Sequence, residues 1–213
     1  PQSVPTLYGL GVVDKYLSNI DEAESSLKRV MELAPNDLAA QEALAYLQLR
    51  LGNFHEAWAN HVCRALSTQD RTVPPQLPQH AQGSHVLLLG EQGLGDELLF
   101  LRFAPALKAR GMRLSYRGSL KLKPLLADQD LFDEWLDPQA EVDTSAFDSV
   151  LSIGNLPYVL GMASASEIPP PLKLKVASET LKRMSERLSK CAANPFIGVT
   201  WRAGTEQSER LLF

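Results

Sequence analysis

The stretch "HVLLLGEQGLGDELLFLRFAPALKARG", His85–Gly111, decides the architecture of this chain. "HVLLL" is a short apolar run of the kind that forms a buried strand. Glycines at 90, 93 and 95 come next, then Asp96, then an apolar helical pattern through Leu98, Leu99, Leu101, Phe103, Ala104 and Leu107. The reading is strand, glycine turn, helix, with the helix at 96–110 closed by Gly111. Ligands of parallel sheets bind beyond the carboxyl ends of the strands, which is where this turn lies.

Downstream the alternation continues. "MRLSYR" reads as strand two, and "SLKLKPLLAD" as a short helix or turn broken by Pro124. "LFDEWLD" reads as a short strand or turn, "FDSVLSI" as a later strand, and "GNLPYVLG" as the start of a helix. "IPPPL" is a rigid loop, "VASETLKRMSERLSK" an amphipathic helix and "NPFIGVTW" a last strand. Such a βαβ rhythm predicts a parallel sheet covered on both faces.

Upstream, the first seventy residues repeat. Leu10 matches Leu44, Asn19 matches Asn53, Glu22 matches Glu56 and Ala23 matches Ala57, each pair 34 positions apart. Helices are expected at 5–17, 20–33, 38–50 and 54–67. The small residues Gly11, Ala23, Ala45 and Ala57 let helices approach, and Leu10, Leu27, Leu44 and Leu47 are expected to fill the seam. Pro35-Asn36 ends the second helix, because proline cannot continue the hydrogen-bond ladder. Gly52-Asn53 turns the second hairpin. Period and pattern over residues 4–69 resemble tetratricopeptide repeats. The second copy is degenerate, with His61 and Arg64 where Leu27 and Val30 stand in the first. Two units rarely bury their own ends, so either further repeats precede them or the second docks on the downstream domain. The pair is a concave surface for a protein partner, or a spacer packed on the next domain.

Bulk properties narrow the classes. The chain has 213 residues, 45% of them hydrophobic, and a formal net charge of −4. With a pI near 5.6 it has no electrostatic footprint for nucleic acid. No apolar run approaches a membrane span, and no signal peptide is visible. Cys63 and Cys191 stand apart, so reduced thiols in the cytoplasm are expected. His55, His61, His80 and His85 have no metal-ligand spacing; no metal and no other cofactor is expected. The opening "PQSVP" reads as the start of an excised piece.

The glycine turn departs from its phosphate-binding relatives. A P-loop needs GxxxxGK[ST], and neither the Lys nor the hydroxyl is present here. A dinucleotide fingerprint needs a third glycine where Leu98 stands, and an acid at the end of strand two where "SYRGSL" stands. A nucleotide-dependent oxidoreductase is therefore disfavoured.

"EQGLGDELLFLRFAPALKARG" resembles the opening of heptosyltransferase-like glycosyltransferases, whose first strand leads into a Gly-Asp turn and a helix with an early proline. The combination with "GNFHEAW" upstream and "IGVTWRAG" at the end is similar to a bacterial group that joins tetratricopeptide repeats to such a domain, in the overall plan of the O-GlcNAc transferases. The resemblance implies a GT-B fold: two Rossmann-like halves facing a cleft, one for the acceptor and one for a nucleotide-sugar donor. It divides the chain into repeats at 1–69, a linker at 70–84, an acceptor half at 85–194, and at 195–213 the start of a truncated donor half. It implies inverting sugar transfer to a protein or glycan acceptor, with Asp96, the carboxylate of the Gly-Asp turn, as the base that takes the acceptor's proton. The plainer role for Asp96 is a helix-terminal acid favourable to the dipole. Gln92, Gly93, Gly95 and Asn155 are candidates for the acceptor, with Glu91 beside them; for Asn155 the alternative is capping the next helix. Arg202, Gly204 and Thr205 are candidates for the donor's diphosphate. Against the enzyme stands a non-catalytic interaction scaffold that has kept the fold without the chemistry.

Overall fold

The structure is a computed structural model and describes residues 3–62, 75–91, 93–126 and 129–191. The chain divides into two compact units, Pro1–Lys175 and Val176–Phe213.

The first unit opens with two helical hairpins, α1 Val4–Leu17 with α2 Ile20–Leu33, and α3 Leu38–Leu51 with α4 Phe54–His61. Local chemistry sets their ends. Pro5 sits in the first turn of α1, where its missing N–H costs nothing. The Asp37 carboxylate accepts from the Ala40 N–H at 3.0 Å and caps α3. Gly52, at φ 82°, closes α3 in a left-handed conformation that glycine adopts freely. Gly11 admits α2: a Cβ there would lie 2.7 Å from Leu27 Cγ.

Leu7, Ala23, Leu27, Val30, Ala40, Ala43, Leu44 and Leu47 form the core of the hairpins. One residue expected in the seam is not there. Leu10 is 43% exposed, because the face of α1 turned to α2 is the one carrying Leu7 and Gly11. Leu10 and Val13 occupy on α1 the positions that Leu44 and Leu47 occupy on α3. On α3 those positions pack on the first hairpin; on α1 they face outward. Helix α4 is described only to His61, so its expected continuation to 67, Arg64 and Cys63 lie outside the described residues.

Among the described residues the sheet has four strands, β1 His85–Leu89, β2 Arg113–Arg117, β3 Glu134–Leu136 and β4 Ser149–Ser152, in the order β3-β2-β1-β4, all parallel. β1 registers Leu89 opposite Arg117 on one side and Ser152 on the other. Order and direction are those of a Rossmann-like half, so the chain is an α + α/β molecule: helical hairpins followed by a parallel sheet.

The single helix expected at 96–110 is two, α5 Leu94–Leu101 and α6 Ala104–Ala109. Pro105 cannot supply the N–H that a continuous ladder would need, so the chain turns at Arg102-Phe103 and restarts with the proline in the first turn of α6. Gly111, at φ 82°, ends it as expected. Pro124 likewise opens rather than breaks a helix: a 3-10 turn at Leu120–Leu122 runs into α7 Lys123–Leu126. "GNLPYVLG" gives a 3-10 turn at Ile153–Asn155 and α8 Leu156–Val159.

The second repeat docks on the sheet layer. Trp58 and His61 of α4 pack on Phe100 of α5, with ring centroids 6.4 and 5.8 Å apart. His61, only 2% exposed, also meets the Tyr46 ring edge-on at 5.8 Å. Trp58 thereby joins a core that includes Val86, Leu88, Leu101, Leu107, Leu114 and Leu151. The residue that made the second repeat look degenerate is part of the surface that attaches it to the sheet.

The second unit contributes helix α9, Ser178–Ser189, whose Leu181, Met184 and Leu188 lie along one face. "NPFIGVTW" and the expected donor half fall outside the described residues.

Candidate functional site

The turn after β1 continues the ladder by one residue: the Gly90 N–H donates to the Arg117 carbonyl at 2.8 Å. Gly93, with φ −117° and ψ 171°, is the N-cap of α5. Asp96, three residues on, accepts from the Gly93 N–H through Oδ2 at 3.2 Å. This is one half of a capping box, since glycine has no side chain with which to return the bond. Asp96 is thus half-buried and turned toward its own helix end.

Its neighbour Glu97 is buried, at 7% exposure. Its Oε2 accepts from the Tyr116 hydroxyl and from the Ser119 N–H, the latter at 3.0 Å. Burial of Tyr116 pushes its phenol well above the ordinary range, and the hydrogen bond and charge of Glu97 push the same way. Tyr116 therefore stays a neutral donor that keeps the buried carboxylate paired. Two glycines make room for this pair. A Cβ on Gly90 would lie 2.7 Å from Gly118 Cα and 2.8 Å from the Tyr116 hydroxyl. A Cβ on Gly118 would lie 2.8 Å from Tyr116 Cε1 and closer still to Cζ and the hydroxyl.

Above the pair, a cleft of about 440 Å³ opens at the carboxyl ends of β1 and β2, bordered by Gly90, Glu91, Glu97, Arg117, Gly118 and Ser119. Arg117 Nη2 donates to the carbonyls of Pro138 and Ala140, each at 2.8 Å, which ties down the loop after β3. Its Nε is buried without a hydrogen-bond partner.

On the other side of β1, Glu91 Oε1 accepts from the Gly154 N–H at 2.7 Å, joining the glycine turn to the turn after β4. Asn155 beside it is buried, at 5% exposure. Its side chain makes no cap bond to α8, and its Oδ1 has no hydrogen-bond partner.

The predicted site residues are therefore spread over three places. Glu91 borders the β1–β2 cleft, whereas Asn155 lies on the β4 side. Gly95 borders a separate groove of about 340 Å³ with Leu98, Leu99, Arg102, Pro171 and Leu172. A Cβ on Gly95 would meet nothing within 4 Å, and one on Gly93 would meet Asp96 Oδ2 at 3.5 Å, so crowding by the protein itself demands neither glycine. Gln92, Arg202, Gly204 and Thr205 lie outside the described residues. Glu97, Arg117, Gly118 and Ser119 were not singled out from the sequence. The available signal was the glycine of "YRGSL", which mirrors Gly90 across the strand pair.

Among the described residues no three His, Cys, Asp or Glu side chains gather as metal ligands, and no helix is long and apolar enough to cross a membrane.

No family model matches the sequence, and no curated protein matches it. Among solved structures, a Thermobaculum terrenum O-GlcNAc transferase, the K341M mutant, is similar over 67% of this chain and 42% of its own, with 12% identity and a TM-score of 0.27. The chain thus spans less than half the length of that protein. At that score the likeness carries no argument, and the fold rests on the strand order and hairpins of the chain itself.

Proposed function

We propose that this chain is the acceptor-holding half of an inverting glycosyltransferase, with helical repeats at 1–69 and the acceptor half at 85–194. One observation supports this best: an open cleft at the carboxyl ends of two parallel strands, beside a glycine turn that carries a half-exposed carboxylate. In the reaction, Asp96 takes the proton of an acceptor hydroxyl. The oxygen attacks the anomeric carbon of a nucleotide sugar from the face opposite the diphosphate. The bond to the diphosphate breaks, and its electron pair leaves with the phosphate oxygen. Capping Gly93 uses one of about four lone-pair positions on the Asp96 carboxylate, so a proton acceptor remains. Glu97 suits the role less, because Tyr116 and Ser119 already hold it in the interior. Gln92, Gly93, Gly95 and Asn155 are assigned to the acceptor side. Arg202, Gly204 and Thr205 are assigned to the donor diphosphate. The repeats are assigned to a protein partner, and the whole to the cytoplasm.

The test is release of nucleoside diphosphate from a panel of nucleotide sugars by the full-length gene product, with peptide and glycan acceptors. Turnover of at least one donor is expected. No turnover with any donor would move the assignment to a non-catalytic interaction scaffold. A specific observation favours that second reading: the Asp96 carboxylate engages its own helix end, and Trp58 and His61 make the second hairpin a buttress of the sheet.

A further inference from the structure

We infer that the carbohydrate subsite of this chain lies over β1 and β2, walled by Glu97, Arg117 and Ser119, and takes an uncharged sugar through a pair of neighbouring hydroxyls. The inference rests on the glycosyltransferase reading for its substrate class, and on the geometry alone for its place.

In a sheet of order β3-β2-β1-β4 the strand order reverses at β1/β4, and ligands of such sheets ordinarily enter there. In this chain the Glu91 side chain crosses that crevice and takes the Gly154 N–H at 2.7 Å. On the other flank of β1 lies the cleft of about 440 Å³. That volume falls in the range of about 300–1,000 Å³ usual for small-molecule sites. At the two strand ends Gly90 and Gly118 leave room for the Tyr116–Glu97 pair to pack beside the cleft.

The polar groups of its wall select the ligand. Both hydrogen bonds to Glu97 fall on Oε2, which leaves Oε1 as an acceptor. Arg117 spends Nη2 on the Pro138 and Ala140 carbonyls, which leaves the Nη1 donors of its guanidinium for a ligand. The Ser119 hydroxyl both donates and accepts. Hydroxyls also do both, so two adjacent ones match a carboxylate and a guanidinium together. An anionic group fits less well, because the Glu97 carboxylate borders the cleft beside the guanidinium of Arg117 and offsets its charge. The groove beside Gly95 is lined mainly by Leu98, Leu99, Pro171 and Leu172 and offers no such pairing.

Ser119 is half-buried, and its backbone, at φ −63° and ψ 115°, is extended. A larger side chain there fills the cleft while keeping the N–H bond to Glu97. The experiment is saturation-transfer NMR of the full-length protein with methyl glycosides of common hexoses and N-acetylhexosamines at about 10 mM, on wild type and Ser119→Phe. Donor turnover is measured on both proteins. At least one glycoside is expected to bind wild type and to lose about tenfold or more in affinity in Ser119→Phe, with an unchanged circular dichroism spectrum. If that variant fails to fold, Ser119→Val, compatible with extended backbone, replaces it with a smaller loss expected. Equal glycoside binding by wild type and a folded variant overturns the subsite, as does the absence of any glycoside binding. Turnover unimpaired in the variant overturns the subsite while leaving the enzymatic reading intact. Glycoside binding lost in the variant, with no donor turned over by wild type, sustains the subsite and overturns the enzyme.

Discussion

Gly118→Ala tests whether the end of β2 is packed as tightly as its glycines imply. The added Cβ would lie 2.8 Å from Tyr116 Cε1 and nearer to Cζ and the hydroxyl, so the ring has to move. It has little room, being fully buried, stacked on Phe132 at 4.9 Å and set edge-on to Trp135 at 5.2 Å. Forcing a methyl into a packed core costs about 1–3 kcal/mol. Displacing the hydroxyl from buried Glu97 forfeits a hydrogen bond to a charge, about 1.5–3 kcal/mol. The expected total is about 2.5–6 kcal/mol, a large part of the roughly 5–15 kcal/mol that holds a domain folded. Equilibrium urea unfolding followed by circular dichroism measures it as a lowered midpoint. In a Tyr116→Leu background the ring is gone, and the added cost of Gly118→Ala should fall below about 1 kcal/mol, a non-additivity that identifies the clash. Gly95→Ala is the counter-case: open space surrounds it in the first turn of α5, so stability should hold or rise by up to about 1 kcal/mol. A Gly118→Ala protein within about 0.5 kcal/mol of wild type would refute the packing argument.

Trp58→Ala should destabilise by about 3–5 kcal/mol and loosen the second hairpin from the sheet, seen as faster amide exchange in both α4 and α5. Glu91→Ala removes the acceptor of the Gly154 N–H and should cost about 1–3 kcal/mol, read by thermal melting, with amide exchange at Gly154 rising most. Asp133 gives a pH signature. Its carboxylate accepts from the Leu114 N–H at 2.7 Å and pairs with Lys108 at 3.1 Å, and both hold its pKa below the ordinary 3.8, the backbone bond more strongly. A depressed folded pKa stabilises above the unfolded value and is lost as pH falls through the folded one. Asp133→Asn should therefore be less stable than wild type at neutral pH, with the gap closing below about pH 4, as urea unfolding across pH will report.

The parts of the fold set by short-range pattern were legible in the sequence. The 34-residue offset placed four helices to within a residue or so wherever they are described, and the apolar run "HVLLL" marked β1. The errors lie where the partner of a residue depends on tertiary register. Leu10 and Leu44 are identical by repeat, yet Leu44 packs in the core of the hairpins while Leu10 stands 43% exposed. The apolar pattern across 96–110 runs through Pro105 without a break, so periodicity alone could not show that the helix restarts there. The cleft needed the β1–β2 pairing, which sets Leu89 opposite Arg117 and so brings Gly90, Gly118, Tyr116 and Glu97 to one point. Nothing in the linear order of "SYRGSL" announces that its tyrosine will bond a carboxylate nineteen positions earlier.

Asp96 is either the base of a transfer reaction or the cap of α5, and Asp96→Asn in the full-length protein separates the two. Asparagine keeps the shape and an oxygen that can accept from the Gly93 N–H, but it cannot take a proton. Initial transfer rates and melting temperature are measured on wild type and variant together. For a base, transfer falls by about two to four orders of magnitude while stability changes by no more than about 1 kcal/mol. That is the expected result. An unchanged rate with a slightly lowered melting temperature would contradict it, and would leave Asp96 as the cap of α5 and nothing more.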